Sequence, residues 1–98
     1  MTGTELIAQE RQRQIVAEGW TPEHDDEHLC AELTNAACAY AEVAALQMYE
    51  DEVVDLRIAP DCWPWHLEWW KPSPDSIRNL VKAGALIAAE IDRLQRIH

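Results

Sequence analysis

The sequence predicts an all-α domain: a three-helix arrangement with a Trp/Pro-rich irregular connector between helices 2 and 3. Three observations carry this. Apolar residues recur at three- and four-residue spacing in two long stretches. Helix-start and helix-stop residues flank those stretches in the right order. The segment that breaks the pattern, residues 59–72, holds three of the five prolines and four of the five tryptophans, and prolines at that density remove backbone donors and fix φ. At 98 residues the chain is expected to form a single helical domain, residues 1–98. A domain of this size buries only roughly 60–65% of its unfolded surface, which makes a homo-oligomer one expectation.

The first helix is expected over residues 2 to 18. Thr2 and Glu5 have capping-box spacing, Leu6, Ile7, Ile15 and Val16 are its apolar contacts, and Gly19 suits the left-handed residue that ends a helix. Trp20 follows at once and is expected to fold back against the helix end. Thr21-Pro22 then opens a second helix, a Thr N-cap with Pro at the first helical position and acidic residues after it. Leu29, Leu33, Ala36/Ala37, Tyr40, Ala44 and Met48 carry this helix to about Tyr49. Cys30, Ala37, Cys38, Ala41 and Ala45 form a second strip of small residues that invites close approach, so this helix is expected to be central. Residues 53–58 read equally as a short extended piece or a last helical turn. Ser73-Pro74-Asp75 repeats the cap-then-proline pattern. Ile77, Leu80, Val81, Gly84, Ile87, Ala88, Ile91 and Leu94 line one stripe of a final helix to about Arg96, antiparallel to the second.

Charge narrows the function classes. Eighteen acidic against eight basic residues give −10, with no Lys or Arg between Arg13 and Arg57. A phosphate backbone would be repelled from such a face, so direct nucleic-acid binding is not expected, whereas cations and basic protein surfaces are. No apolar run approaches the ~18 residues that span a bilayer, so no membrane span is expected. The three cysteines form no CxxC pair and no secretory segment opens the chain, as expected of a reduced cytosolic protein.

Three constellations suggest chemistry. In Glu23-His24-Asp25-Asp26-Glu27-His28, with Glu32 one turn on, a continuous helix would stack His24, His28 and Glu32 at i, i+4, i+8. A divalent metal held by His24, Asp25, Asp26, His28 and Glu32 is one reading. A solvated acidic first turn that complements the helix dipole is the other. Glu23-x-x-Asp26 and Glu52-x-x-Asp55 form the second constellation, since carboxylate pairs one turn apart on two antiparallel helices hold Mg²⁺ against a polyphosphate in all-α nucleotide pyrophosphohydrolases. Cys62 and His66 flank tryptophans in a way that would make a small nucleophile site, against the commoner role of a buried cysteine as a small apolar residue. The tryptophans themselves have two roles open to them, filler between the second and third helices or, for one or two of them, part of a partner-binding surface comprising Trp20, Asp25, Asp26, Glu27, Trp63, Trp65, Trp69 and Trp70. Lys71 is placed to stack on a neighbouring indole.

With residues 10–15, Glu18-Gly19-Trp20-Thr21-Pro22-Glu23-His24-Asp25-Asp26, the Glu32 to Ala41 stretch, Trp63-Pro64-Trp65, Trp69-Trp70-Lys71-Pro72 and residues 78–87 in view, the chain resembles a family. It is similar to small accessory proteins of tailed bacteriophages and prophages, a module also found at the C-terminal end of Ea22-like proteins of lambdoid phages. The resemblance covers nearly the whole chain and implies a bacterial cytoplasm during infection or lysogeny. It carries no activity across, but it keeps His24, Asp25 and Asp26 as candidate site residues. The expected function is that of a non-enzymatic accessory protein that binds a host or phage protein through an acidic face and aromatics, modulating host defence or the lysis–lysogeny choice. The alternatives are a metal-dependent nucleotide-binding protein or pyrophosphohydrolase-like enzyme, and a homo-oligomeric structural module.

Overall fold

The first helix, α1 (Gly3–Glu18), is bounded by both predicted caps. Thr2 Oγ1 accepts from the Glu5 N–H at 3.2 Å while Glu5 returns the bond to the Thr2 N–H. Gly19 sits at φ 73° and turns the chain, a left-handed conformation that a residue without Cβ adopts at little cost. A computed structural model describes residues 1–27, 31–49 and 53–97. Within them the remaining helices are α2 (Pro22–Asp25), α3 (Glu32–Gln47) and α4 (Ser76–Ile97), with one 3-10 turn at Leu67–Trp69 before α4. The all-α class holds, and the described residues 53–75 form the irregular connector.

The single helix expected from Pro22 to Tyr49 is two. Thr21 caps α2 as anticipated, accepting from the His24 N–H at 3.2 Å. The helix then stops after Asp25, and Ala31, just before α3, is left-handed at φ 64°. A helix cannot run through such a residue. What holds α2 in place is long-range: Asp25 meets Arg11 of α1 at 2.7 Å, and Asp26 meets Arg96 of α4 at 2.5 Å. Leu29 and Cys30 lie outside the described residues.

Helix α4 is the hub, packing on α3, α1 and α2, so centrality belongs to it rather than to the Ala-rich helix. Thr34 bonds Glu90 at one end of the α3–α4 contact, and Gln47 bonds Asn79 at the other, so the two run antiparallel. The cap of α4 lies two residues later than Ser73: Asp75 accepts from the Ile77 N–H at 2.9 Å, while Ser73 Oγ accepts from the Asp75 N–H. Against α4, α3 buries Leu33, Ala36, Ala37, Ala39, Tyr40, Val43 and Ala44. Of the anticipated small strip, Ala37 is buried but Cys38 and Ala45 are exposed, and Met48 is exposed too. Helix α4 turns Val81, Ala83, Ala85, Leu86 and Ala89 to the interior. Small residues on both sides let the helices approach closely.

The connector closes the other side of α3. Trp70 is buried, its ring 4.7 Å from Tyr40 and 5.0 Å from Trp63, and its indole N–H donates to the Leu56 carbonyl at 3.0 Å. Trp63 contacts Tyr40 and Trp65 edge-on, and Trp65 lies 6.4 Å from Trp20. Trp70, Trp63, Trp65 and Trp20 are thus a continuous aromatic row with a buried end at Trp70, while Trp69 is 51% exposed. Lys71 stands 5.8 Å above the Trp69 ring, the expected cation–π contact. Residues 53–60 are neither strand nor helix; Asp55 and Arg57 pair within a turn there, and Arg57's hydrogen bonds hold the Asp55 carboxyl down to about 2.

Helix α1 departs most from its apolar expectation. Val16 is 73% exposed, and the residues it buries are Glu10 and Gln14. Arg13 binds Glu10 through two nitrogens, Arg78 of α4 adds a third bond, and Gln14 donates at 3.1 Å. Burial pushes the Glu10 carboxyl up, but the hydrogen bonds and charges of Arg13 and Arg78 outweigh it and hold it below its ordinary 4.5. A carboxyl lowered on folding stabilises above its unfolded value, and that contribution disappears as pH falls through the folded value. Urea unfolding should therefore show stability falling below about pH 4.5, and Glu10→Gln should remove part of that acid sensitivity; an unchanged pH slope in the variant would refute the assignment.

Candidate functional site

Between α2, the start of α3 and the connector lies a cleft of about 360 Å³. Trp20, Trp65 and Trp69 line it together with Leu33, and His24, Asp25 and His66 supply its polar groups. Each wall is positioned by a local device. The left-handed Gly19 swings Trp20 back over the end of α1, and Arg11 fixes it by donating to its carbonyl at 3.1 Å. The Thr21-Pro22 cap presents His24 and Asp25. Trp65 is oriented by its indole N–H, which donates to Glu32 at 2.9 Å. The His66 ring accepts from the Glu68 N–H and so starts the 3-10 turn that ends at Trp69.

Asp25 is 1% exposed. Its carboxylate and the Trp20 carbonyl share one guanidinium, that of Arg11, whose side chain is itself 13% exposed. Glu23, Asp26 and Glu27, in and just after α2, are exposed neighbours in sequence of the lining residues His24 and Asp25. The surroundings are therefore apolar walls within an acidic field. Such a site suits an organic cation, because indole faces attract positive charge and the net charge of −10 raises cation concentration nearby.

The structure brings Trp20, Asp25, Trp65 and Trp69 of the expected partner surface into one place, with Asp26 and Glu27 beside it. Trp63 and Trp70 belong to the aromatic row behind and do not line the cleft. The proposed metal set fares differently. His24 and Glu32 lie on separate helices, so the i, i+4, i+8 face does not form, and His28 lies outside the described residues. Asp25 is engaged by Arg11, Asp26 by Arg96 and Glu32 by Trp65. Among the described residues no group of three or more His, Cys, Asp or Glu is placed to hold a metal ion. The paired-carboxylate motif loses its geometry as well: Asp55 is in a turn rather than a helix, and Glu52 lies outside the described residues. Burial, followed by the charge of Glu42, pushes the Cys62 thiol up, away from the thiolate a nucleophile needs.

Sequence reasoning placed neither Arg11 nor Leu33 at this site, and it considered His66 only beside Cys62. A second cleft of about 200 Å³ near Glu10 gathers Arg13, Lys71, Arg78 and Lys82. Burial and then the Arg78 charge lower the Lys82 ammonium, which donates to the Lys71 carbonyl at 2.6 Å. Among the described residues no helix is long and apolar enough to cross a membrane. Comparison with protein-family models, curated proteins and solved structures finds no match.

Proposed function

We propose that this chain is a non-enzymatic binding module that takes a Lys or Arg side chain of a partner protein into the Trp20/Trp65/Trp69 cleft. The observation that carries the reading is the convergence of three indoles and a buried carboxylate on one opening of a strongly acidic chain. Indole walls supply cation–π attraction, and the neighbouring carboxylates supply steering that weakens with salt. The resemblance to phage and prophage accessory proteins supports a host or phage partner in the bacterial cytoplasm, and a role in modulating host defence or the lysis–lysogeny choice.

Tryptophan fluorescence titrated with short peptides tests this. Lys- or Arg-containing peptides should perturb emission saturably, neutral and acidic ones should not, and high salt should weaken the effect. Trp69→Ala opens one wall at an exposed position and should lower affinity on the order of tenfold, the scale of one cation–π contact. Equal response to acidic peptides, or full affinity in Trp69→Ala, would reject the reading.

A further inference from the structure

Of the apolar stripe of α4, Val81 faces the core, but its five largest remaining side chains do not. Ile77, Leu80, Ile87, Ile91 and Leu94 are 61, 43, 47, 51 and 39% exposed. With Gly84 they occupy positions 77, 80, 84, 87, 91 and 94, alternating steps of three and four residues. That is an a/d seam with a period of 3.5, the spacing that keeps a stripe facing another helix of the same repeat. The gap at Gly84 is filled by α1: a Cβ on Gly84 would lie 2.5 Å from Ile7 Cδ1, so the Ile7 side chain takes the place a seam residue would occupy.

We infer that this seam is a homodimer interface, with α4 of one copy packed along α4 of a second. Three features select a second copy over other occupants. The repeat matches itself, as an isologous two-fold contact requires. The half-exposed seam leaves roughly 500 Å² of apolar surface open, at the upper end of what a monomer carries, and two such faces together bury on the order of 1,000 Å², the lower bound of a specific interface. Charge also permits it. Two chains of −10 repel each other over most of their surface, but α4 carries Arg78, Lys82, Arg93 and Arg96 against Glu90 and Asp92, and every seam position is uncharged. This contact is separate from the cleft, which is built by α2, α3 and the connector.

Sedimentation equilibrium from low micromolar to near-millimolar protein tests the inference. The wild type should approach twice the 11.2 kDa chain mass, and high salt should leave that association intact or strengthen it, unlike peptide binding at the cleft. Ile87→Glu/Ile91→Glu places four carboxylates in the dimer seam and should weaken association roughly 100-fold or more. Both positions are about half exposed, so circular dichroism should stay helical; if the double variant loses helicity, Ile91→Gln provides the same test with no added charge. A wild type that stays monomeric throughout would overturn the inference, whether or not it binds lipid vesicles, and so would a natively folded variant that still dimerises.

Discussion

Trp70→Ala is expected to cost about 4 kcal/mol, while Trp69→Ala, one residue away, costs less than about 1. The contrast follows from what each ring touches. Trp70 is 7% exposed, packs on Tyr40 and Trp63, and satisfies the Leu56 carbonyl. Removing it leaves a cavity between α3 and the connector and takes the donor from that carbonyl. The tyrosine it stacks on also depends on its shelter: burial pushes the Tyr40 hydroxyl up, and that hydroxyl accepts from the Lys71 N–H at 3.3 Å. Trp69 has one face against the cleft and Lys71 above it, with half its surface in water. For a domain whose total stability is on the order of 5–10 kcal/mol, the first change approaches unfolding at room temperature. Urea midpoints measured at neutral pH decide it, and similar shifts for both variants would mean that the aromatic row is not part of the core. Trp70→Phe should recover most of the loss, since it keeps a ring in the stack and gives up only the indole donor.

What was legible in the sequence was local. Thr2 with Glu5, Gly19 after Glu18, and Thr21 before Pro22 each signal a chain direction through residues within one turn, and all three act as read. Periodicity revealed that α4 has an apolar stripe but not what covers it. The core side of α4 carries Val81, which belongs to that stripe, and Leu86, but otherwise Ala83, Ala85 and Ala89, whose small side chains give little contrast in a hydrophobic pattern. The break between α2 and α3 was hidden for another reason. Residues 22 to 48 keep a helical spacing, and the competing bonds from Arg11 and Arg96 come from 14 and 70 positions away. The Glu10 cluster is least legible of all: its second arginine is 68 residues distant, and a buried carboxylate in the middle of a polar helical run resembles any exposed one. At the cleft, composition alone identified the acidic turn and the tryptophans, but only the folded connector shows which indoles face it.

Arg11→Ala should be nearly as destabilising, by about 3 kcal/mol, and should also weaken peptide binding while the protein remains folded, because the Trp20 wall loses its anchor. The guanidinium lies between two structural commitments, the Trp20 carbonyl at 3.1 Å and the Asp25 carboxylate at 2.7 Å. Deleting it removes the cation from a carboxylate that is 1% exposed, and taking one partner from a buried pair costs more than the pair contributes as a whole. The same deletion frees Trp20 from the end of α1, so one cleft wall and its polar floor loosen together. Combining Arg11→Met with Asp25→Asn should return much of the stability, because no charge is then left in the interior without its guanidinium. It should not return the binding, because a methionine side chain cannot hold the Trp20 carbonyl and the cleft wall stays unanchored. That split separates stability from binding: recovery in thermal unfolding with continued loss in the peptide titration makes the Arg11 anchor of Trp20, together with the Asp25 charge, a requirement of the cleft, whereas recovery of both would make the ion pair a fastening for α2 and leave the indoles to bind alone.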